Sequence, residues 1–141
     1  MPELKQYTHD HMVTVLQYLY PSLRHGFDYY VVQAVDGETN EVTGDPWILW
    51  WKNKEVARPT DAEIHTAFHA DEALYRSRFL RLRRDYELMD TDGKADMPSD
   101  APPSAKAVCD RWRAYRQALR DLPQQPGFPF DVKWPEWPVI K

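Results

Sequence analysis

Arg58-Pro59-Thr60-Asp61-Ala62-Glu63-Ile64 opens the longest element that this sequence encodes, and the residues after it decide the fold. Thr60 and Glu63 form a T-x-x-E capping box, in which each side chain satisfies a backbone N–H that a helix start leaves unpaired. Asp61 and Glu63 also suit the positive end of the helix dipole. From there Ile64, Phe68, Tyr75, Phe79, Leu82, Tyr86 and Met89 recur at the spacing of one apolar helix face. The pattern predicts a single long amphipathic helix ending near Asp90. Asp71-Glu72, where charges occupy the stripe, is its place to break.

On the N-terminal side, Thr8 is an N-cap candidate. Met12, Val13, Val15, Leu16, Leu19 and Tyr20 line a short helix that Pro21 ends. Asp28–Val35 is β-branched and aromatic, which favours a strand. Asp36-Gly37 and Gly44-Asp45-Pro46 are breaks, with room for a third short strand at 41–43. Trp47–Lys52 reads as a strong second strand. Alternation places Trp47 and Trp51 on one side of it and Trp50 on the other. So small a sheet cannot easily bury both faces unless helices cover one and a partner, or the helical pair, covers the other.

On the C-terminal side, residues 90–103 are rich in Asp, Gly, Pro and Ser and are expected to form a flexible connector. Ala105, Val108, Trp112, Tyr115, Leu119 and Leu122 then alternate three- and four-residue steps, the seam of a helical hairpin or coiled coil. The seam is short, so an intrachain hairpin with the long helix is expected. After Pro123, prolines at 126, 129, 135 and 138 exclude helix and central strand, leaving an extended tail. The expected fold is α+β: an N-terminal helix with a small antiparallel sheet, a long helix pair, and a Pro- and aromatic-rich tail. The corresponding divisions are 1–58, 59–122 with its connector at 90–103, and 123–141.

The 141 residues suffice for one compact domain, or a small domain with an appended helical element. Of these, 43% are hydrophobic and 28% charged, with a mean hydropathy of -0.71, as in a soluble chain. No apolar stretch approaches the roughly 20 residues that span a bilayer. Met1-Pro2-Glu3-Leu4-Lys5-Gln6 lacks the apolar segment of a secretory signal. One cysteine, Cys109, permits no intrachain disulfide and fits a reducing compartment. A net charge of -4 argues against general nucleic-acid binding. The arginines of 75–121, which give that stretch a positive balance, are spread around two predicted helices as on solvated faces.

Few constellations point to chemistry. His65 and His69 are four apart, as two zinc ligands on a helix can be, but the residue after the first is Thr66 and not the glutamate of a metalloprotease. His9-Asp10-His11 does not set both rings on one helical face. The acidic loop Asp90–Asp96 fails as a calcium loop, because Leu88 and Ser99 fall where its carboxylate ligands belong. Cys109 sits beside the helical seam and reads as a small buried hydrophobe. The expectation is a non-enzymatic protein with no cofactor and no metal. A metal-dependent enzyme using His65 and His69 is the lesser alternative.

The aromatic residues are the excess. Trp50, Trp112, Tyr115, Phe128, Phe130, Trp134 and Trp137 are the candidate partner-binding residues. Trp134 and Trp137 have no periodic element to pack within, so they either clip back onto the body or anchor a partner.

Two stretches resemble bacteriophage tail proteins. Trp112-Arg113-Ala114-Tyr115-Arg116-Gln117-Ala118-Leu119-Arg120-Asp121-Leu122-Pro123, with Gly127-Phe128-Pro129 and Trp134-Pro135, is similar to the closing segment of tail-fibre assembly chaperones. Tyr18-Leu19-Tyr20-Pro21, then Asp28–Gln33, the Trp strand and Arg58–Ile64, resembles the XkdW-like accessory proteins of contractile-tailed prophages. The connector at 90–103 does not map onto that pattern, which leaves the orientation of the two helices open. The resemblance implies a small protein that helps a tail or tail-fibre polypeptide fold, trimerise or attach. It implies work in the host cytoplasm during assembly, with no nucleic-acid or membrane partner. A permanent component of the phage tail is the alternative. Neither the individual partner nor the oligomeric state follows from it.

Overall fold

A computed structural model describes residues 6–139; Met1–Lys5, on which the absence of a secretory signal was read, and Ile140-Lys141 lie outside the described residues. The element order is α1 (His9–Leu19), β1 (Tyr29–Val32), β2 (Trp47–Trp51), α2 (Asp61–Ala70), α3 (Glu72–Asp90) and α4 (Pro103–Asp121), followed by a 3-10 turn at Leu122–Gln124. This is the expected α+β arrangement. The chain forms two compact units, Met1–Phe79 and Leu80–Lys141. The divisions therefore differ from 58/59 and 122/123: Ile64, Phe68 and Tyr75 bury their side chains in the first unit's core, and Trp134 of the tail packs on the second unit's.

In the first unit, α1 starts at the expected Thr8, with an unexpected partner. His11 takes the place that Glu or Gln holds in a capping box, and its Nδ1 accepts the Thr8 backbone N–H at 3.0 Å. The ring is buried, with Phe68 and Phe79 centred 5.4 and 5.0 Å away. Burial, with the nearby Arg76 charge adding to it, lowers the His11 pKa from 6.5 to about 4. Met12, Val15 and Leu16 face the core together with Leu23, Tyr29, Val31 and Ile48.

The sheet is two-stranded and antiparallel, pairing Tyr29 with Trp51, Tyr30 with Trp50, Val31 with Ile48 and Val32 with Trp47. A bulge falls between the Tyr30 and Val31 pairs and leaves Leu49 as the extra residue. This corrects the expected alternation. One inserted residue shifts everything before it to the opposite face, so Ile48 and Trp51 pack toward the core while Trp47 and Trp50 share the outer face. The possible third strand is reduced to a single bridge between Val35 and Val42. Both edges are closed by side chains. His25 Nε2 accepts the Val31 N–H at 3.0 Å; Asp61 accepts the Ile48 N–H at 2.8 Å, and Arg58 donates to the Ile48 carbonyl at 2.7 Å.

The Thr60–Glu63 capping box forms as expected, with both reciprocal bonds at 3.1 Å. The long helix breaks at Asp71. That residue's N–H bonds the Phe68 carbonyl, closing α2, and its carboxylate accepts the Leu74 N–H, opening α3. Tyr75 remains buried beyond the break, but Leu82, Tyr86 and Met89 do not. In its second half α3 buries a different face, through Leu80 and the partly buried Glu87 and Leu88.

In the second unit, α4 returns to the end of α3. Arg116 donates to the Leu88 carbonyl at 2.6 Å and to Thr91 Oγ1 at 2.8 Å, and Tyr115 donates its hydroxyl to Glu87 at 3.0 Å. The helical pair is thus joined through the first residues of the connector. Thr91 is fully buried and caps the preceding turn by donating to the Glu87 carbonyl, so the connector expected at 90–103 opens with a defined turn. Trp112, Tyr115, Leu119 and Leu122 of the expected seam are buried, whereas Ala105 and Val108 are only partly so.

The His11 cap makes stability depend on pH. Below 6.5 the unfolded imidazole binds a proton that the folded one refuses until about 4, so stability is full above 6.5 and falls between these values. His11→Gln keeps an acceptor for Thr8 and removes the titration. Thermal melts from pH 7 to pH 4 should show the native protein losing on the order of 2–3 kcal/mol more than this variant. Equal losses in both proteins contradict the assignment.

Candidate functional site

Two groups of aromatic side chains reach the surface, one in each unit. In the first unit the outer face of the sheet carries a stacked row. The rings of His25 and Tyr30 are 4.8 Å apart at 22°, those of Tyr30 and Trp50 5.7 Å apart at 14°, and the Lys52 ammonium lies 4.5 Å from the Trp50 ring. Trp47 and Leu49 are exposed nearby on the same strand. The bulge puts Trp47 beside Trp50. The backbone below cannot readily accept an added strand, because side chains occupy the Val31 N–H on one edge and the Ile48 N–H and carbonyl on the other. What remains available is a rigid aromatic face.

In the second unit the tail closes over α4. Trp137 stacks edge-on against Trp112 at 5.2 Å, and its Nε1 donates to Glu87 at 3.2 Å. Glu87 Oε2 therefore receives both Trp137 and Tyr115. Burial, and then this acceptor, push the Tyr115 phenol above its ordinary pKa, which keeps it a neutral donor. Gln125 brackets Lys133, donating to its carbonyl and accepting its N–H, both at 2.8 Å. Arg111 donates to the Val139 carbonyl at 2.9 Å. Gly127 makes the tight turn before this clasp; a side chain there collides with the Asp131 carbonyl, and Phe130 and Asp131 both donate to the Gly127 carbonyl.

The candidate partner-binding residues thus separate. Trp112 and Tyr115 are buried inside the second unit. Trp134 is half-buried, with the Arg83 guanidinium 5.5 Å from its ring, and Phe128 lies 5.5 Å from that of Arg81. Trp137 and Phe130 are each about half exposed, at 53% and 51%. Trp50 belongs to the sheet face of the first unit, where Tyr30, Trp47 and Leu49 join it. Sequence reasoning missed those three as a group because it had no sign of the bulge.

The histidines have other partners. His65 Nε2 is 2.8 Å from the Pro46 carbonyl, and His69 Nδ1 is 2.9 Å from Glu72. Among the described residues no group of three or more His, Cys, Asp or Glu side chains is placed to hold a metal ion. Cys109 is buried, its Sγ 3.5 Å from the Asp96 carbonyl. Among the described residues no helix is long and apolar enough to cross a membrane.

Two family models match adjoining parts of the chain. Residues 12–76 match the XkdW protein family, and residues 77–139 match the phage tail assembly chaperone protein family. No curated protein and no solved structure matches.

The clasp over α4 has a measurable consequence. Trp137→Ala removes one edge-on ring contact and one hydrogen bond to a carboxylate, and should lower stability in a denaturant titration by about 1–3 kcal/mol. A midpoint equal to that of the native chain contradicts the clasp.

Proposed function

We propose that this chain, a member of the phage tail assembly chaperone and XkdW-like family, captures a tail-fibre polypeptide and helps it fold, trimerise or attach. The outer sheet face of the first unit carries this reading. Stacked Tyr30 and Trp50 with exposed Trp47 and Leu49 offer apolar and aromatic contact at low entropic cost, because stacking already holds the rings. The sheet edges are capped, so a client meets side chains rather than extending the ladder. Aromatic anchors of this kind carry most of the energy of protein interfaces.

The protein acts by binding and without catalysis, in the host cytoplasm while tails are assembled. In the second unit, the clasp gives Trp112, Tyr115, Trp134 and Trp137 structural work. The folding of the aromatic tail onto its own unit supports this division of labour.

Co-expression with the neighbouring tail or fibre gene product, followed by size-exclusion chromatography with light scattering, tests the proposal. The fibre should become soluble and trimeric only beside this chain. Tyr30→Ala and Trp50→Ala should each weaken capture roughly thirtyfold, or 2 kcal/mol, while shifting the melting temperature by only a few degrees. A fibre that folds equally well alone, or capture that both variants leave intact, overturns the reading.

A further inference from the structure

His25 stands at the end of the aromatic row on the sheet, and a tight loop puts it there. The Arg24 N–H donates to the Asp28 carboxylate at 2.8 Å, and the Asp28 N–H donates to the Arg24 carbonyl at 2.9 Å. Gly26 has a φ of 89°, which side chains disfavour, and donates its N–H to the Tyr29 carbonyl at 2.7 Å. The chain is thereby turned back so that the His25 ring reaches the strand it precedes. There the ring does two things at once. Its Nε2 accepts the Val31 N–H at 3.0 Å, and its face stacks on Tyr30, which in turn stacks on Trp50.

A backbone N–H can only donate, so the Nε2 that receives it is unprotonated and the ring proton sits on Nδ1. A second proton has to go onto Nε2, where it sets N–H against N–H. The ring therefore cannot be protonated and stay seated. Burial, the largest influence on it, holds its pKa below 6.5. Its charged surroundings are Arg24 and Asp28 in its own loop, and His9 and Asp10 at the start of α1. His9 opposes a proton on His25 and Asp10 favours one, and these two side chains pair with each other at 3.2 Å. The rings packed on it, Tyr29 and Tyr30, are phenols, a group that ionises far above this range. Below 6.5 an unseated imidazole binds a proton that the seated one refuses, so falling pH favours the unseated form.

We propose that His25 is the positioning residue of the docking face, and that protonating it releases a client by uncapping Val31 and taking away the ring that seats Tyr30. The part that concerns the client rests on the capture reading above. A histidine beside a strand is ordinarily a packing residue and no more. Here one nitrogen carries the edge cap while the same ring holds the end of the stack, so a single proton reaches both. One proton changes an equilibrium by at most about tenfold per pH unit, which sets the size of the effect.

Nitrogen-15 NMR of the full native chain reads this latch without a client. At pH 7 the His25 ring should carry its proton on Nδ1 alone. On acidification the ring should titrate below 6.5, and the Val31 amide should shift with the same midpoint. His25→Gln keeps an acceptor for Val31 and has no titrating ring, so its Val31 amide should not follow pH. With the client present, capture by the native chain should weaken several-fold from pH 7 to pH 5.5. His25→Phe, which keeps a ring against Tyr30 and cannot titrate, should capture as the native chain does at pH 7 and still do so at pH 5.5. A Val31 amide that stays in place while His25 titrates overturns the proposal, as does a ring that titrates at 6.5 or above. So does an acid loss of capture as large in His25→Phe as in the native chain. Absence of capture by the native chain at pH 7 removes the capture reading instead, and the Val31 amide alone then decides whether His25 is a latch.

Discussion

Asp71 ends one helix and starts the next. Its backbone N–H closes α2 on the Phe68 carbonyl and its carboxylate opens α3 on the Leu74 N–H, so one residue replaces a turn of helix with a corner. Much of the molecule depends on that corner. It lets Ile64 and Phe68 on one helix and Tyr75 on the next converge on the same core, where α1 and the sheet complete the packing. Phe68 is fully buried at the centre, its ring 4.4 Å from that of Tyr7, with His11 and Tyr75 beside it. Beyond that point the second half of α3 buries a different face, through Leu80, Glu87 and Leu88.

The second unit organises itself around Glu87. One carboxylate oxygen receives the Tyr115 hydroxyl from α4 and the Trp137 indole from the tail, and Arg116 ties the next residue's carbonyl to the same helix end. A proline-rich segment cannot make a backbone ladder. It is held here by side-chain bonds from Gln125, Arg111 and Trp137 and by ring contacts. Much of the tail's aromatic surface is therefore committed within its own unit. On the sheet face of the first unit the rings are stacked and left partly exposed, which is why the proposal places the client there.

Local signals in the sequence were reliable wherever one residue's chemistry dictates its backbone. The Thr60–Glu63 box, the stop at Pro21, the α4 seam and the weak point at Asp71 all follow from capping, ring constraint or periodicity. The features that were not legible each depend on a distant partner. A bulge in β2 leaves no mark in Trp-Ile-Leu-Trp-Trp, so the sides of Trp47 and Trp51 were misassigned. His11 serves as a cap only because Phe68 and Phe79 shelter its ring. The stripe of Leu82, Tyr86 and Met89 has the right period for burial, yet periodicity cannot say whether a cover is present. Of the candidate binding residues, the tail positions were visible as an aromatic excess, but which of them the clasp would occupy depends on Glu87.

The central claim is that the client is met by the outer sheet face while the tail stays clasped to its own unit. Hydrogen–deuterium exchange of the chain, alone and bound to its tail or fibre protein, tests this directly. The account predicts new protection in the peptides that carry residues 29–32 and 47–52, with little change in those covering 126–139. Protection confined to 126–139, with the sheet exchanging as it does in the free chain, contradicts it.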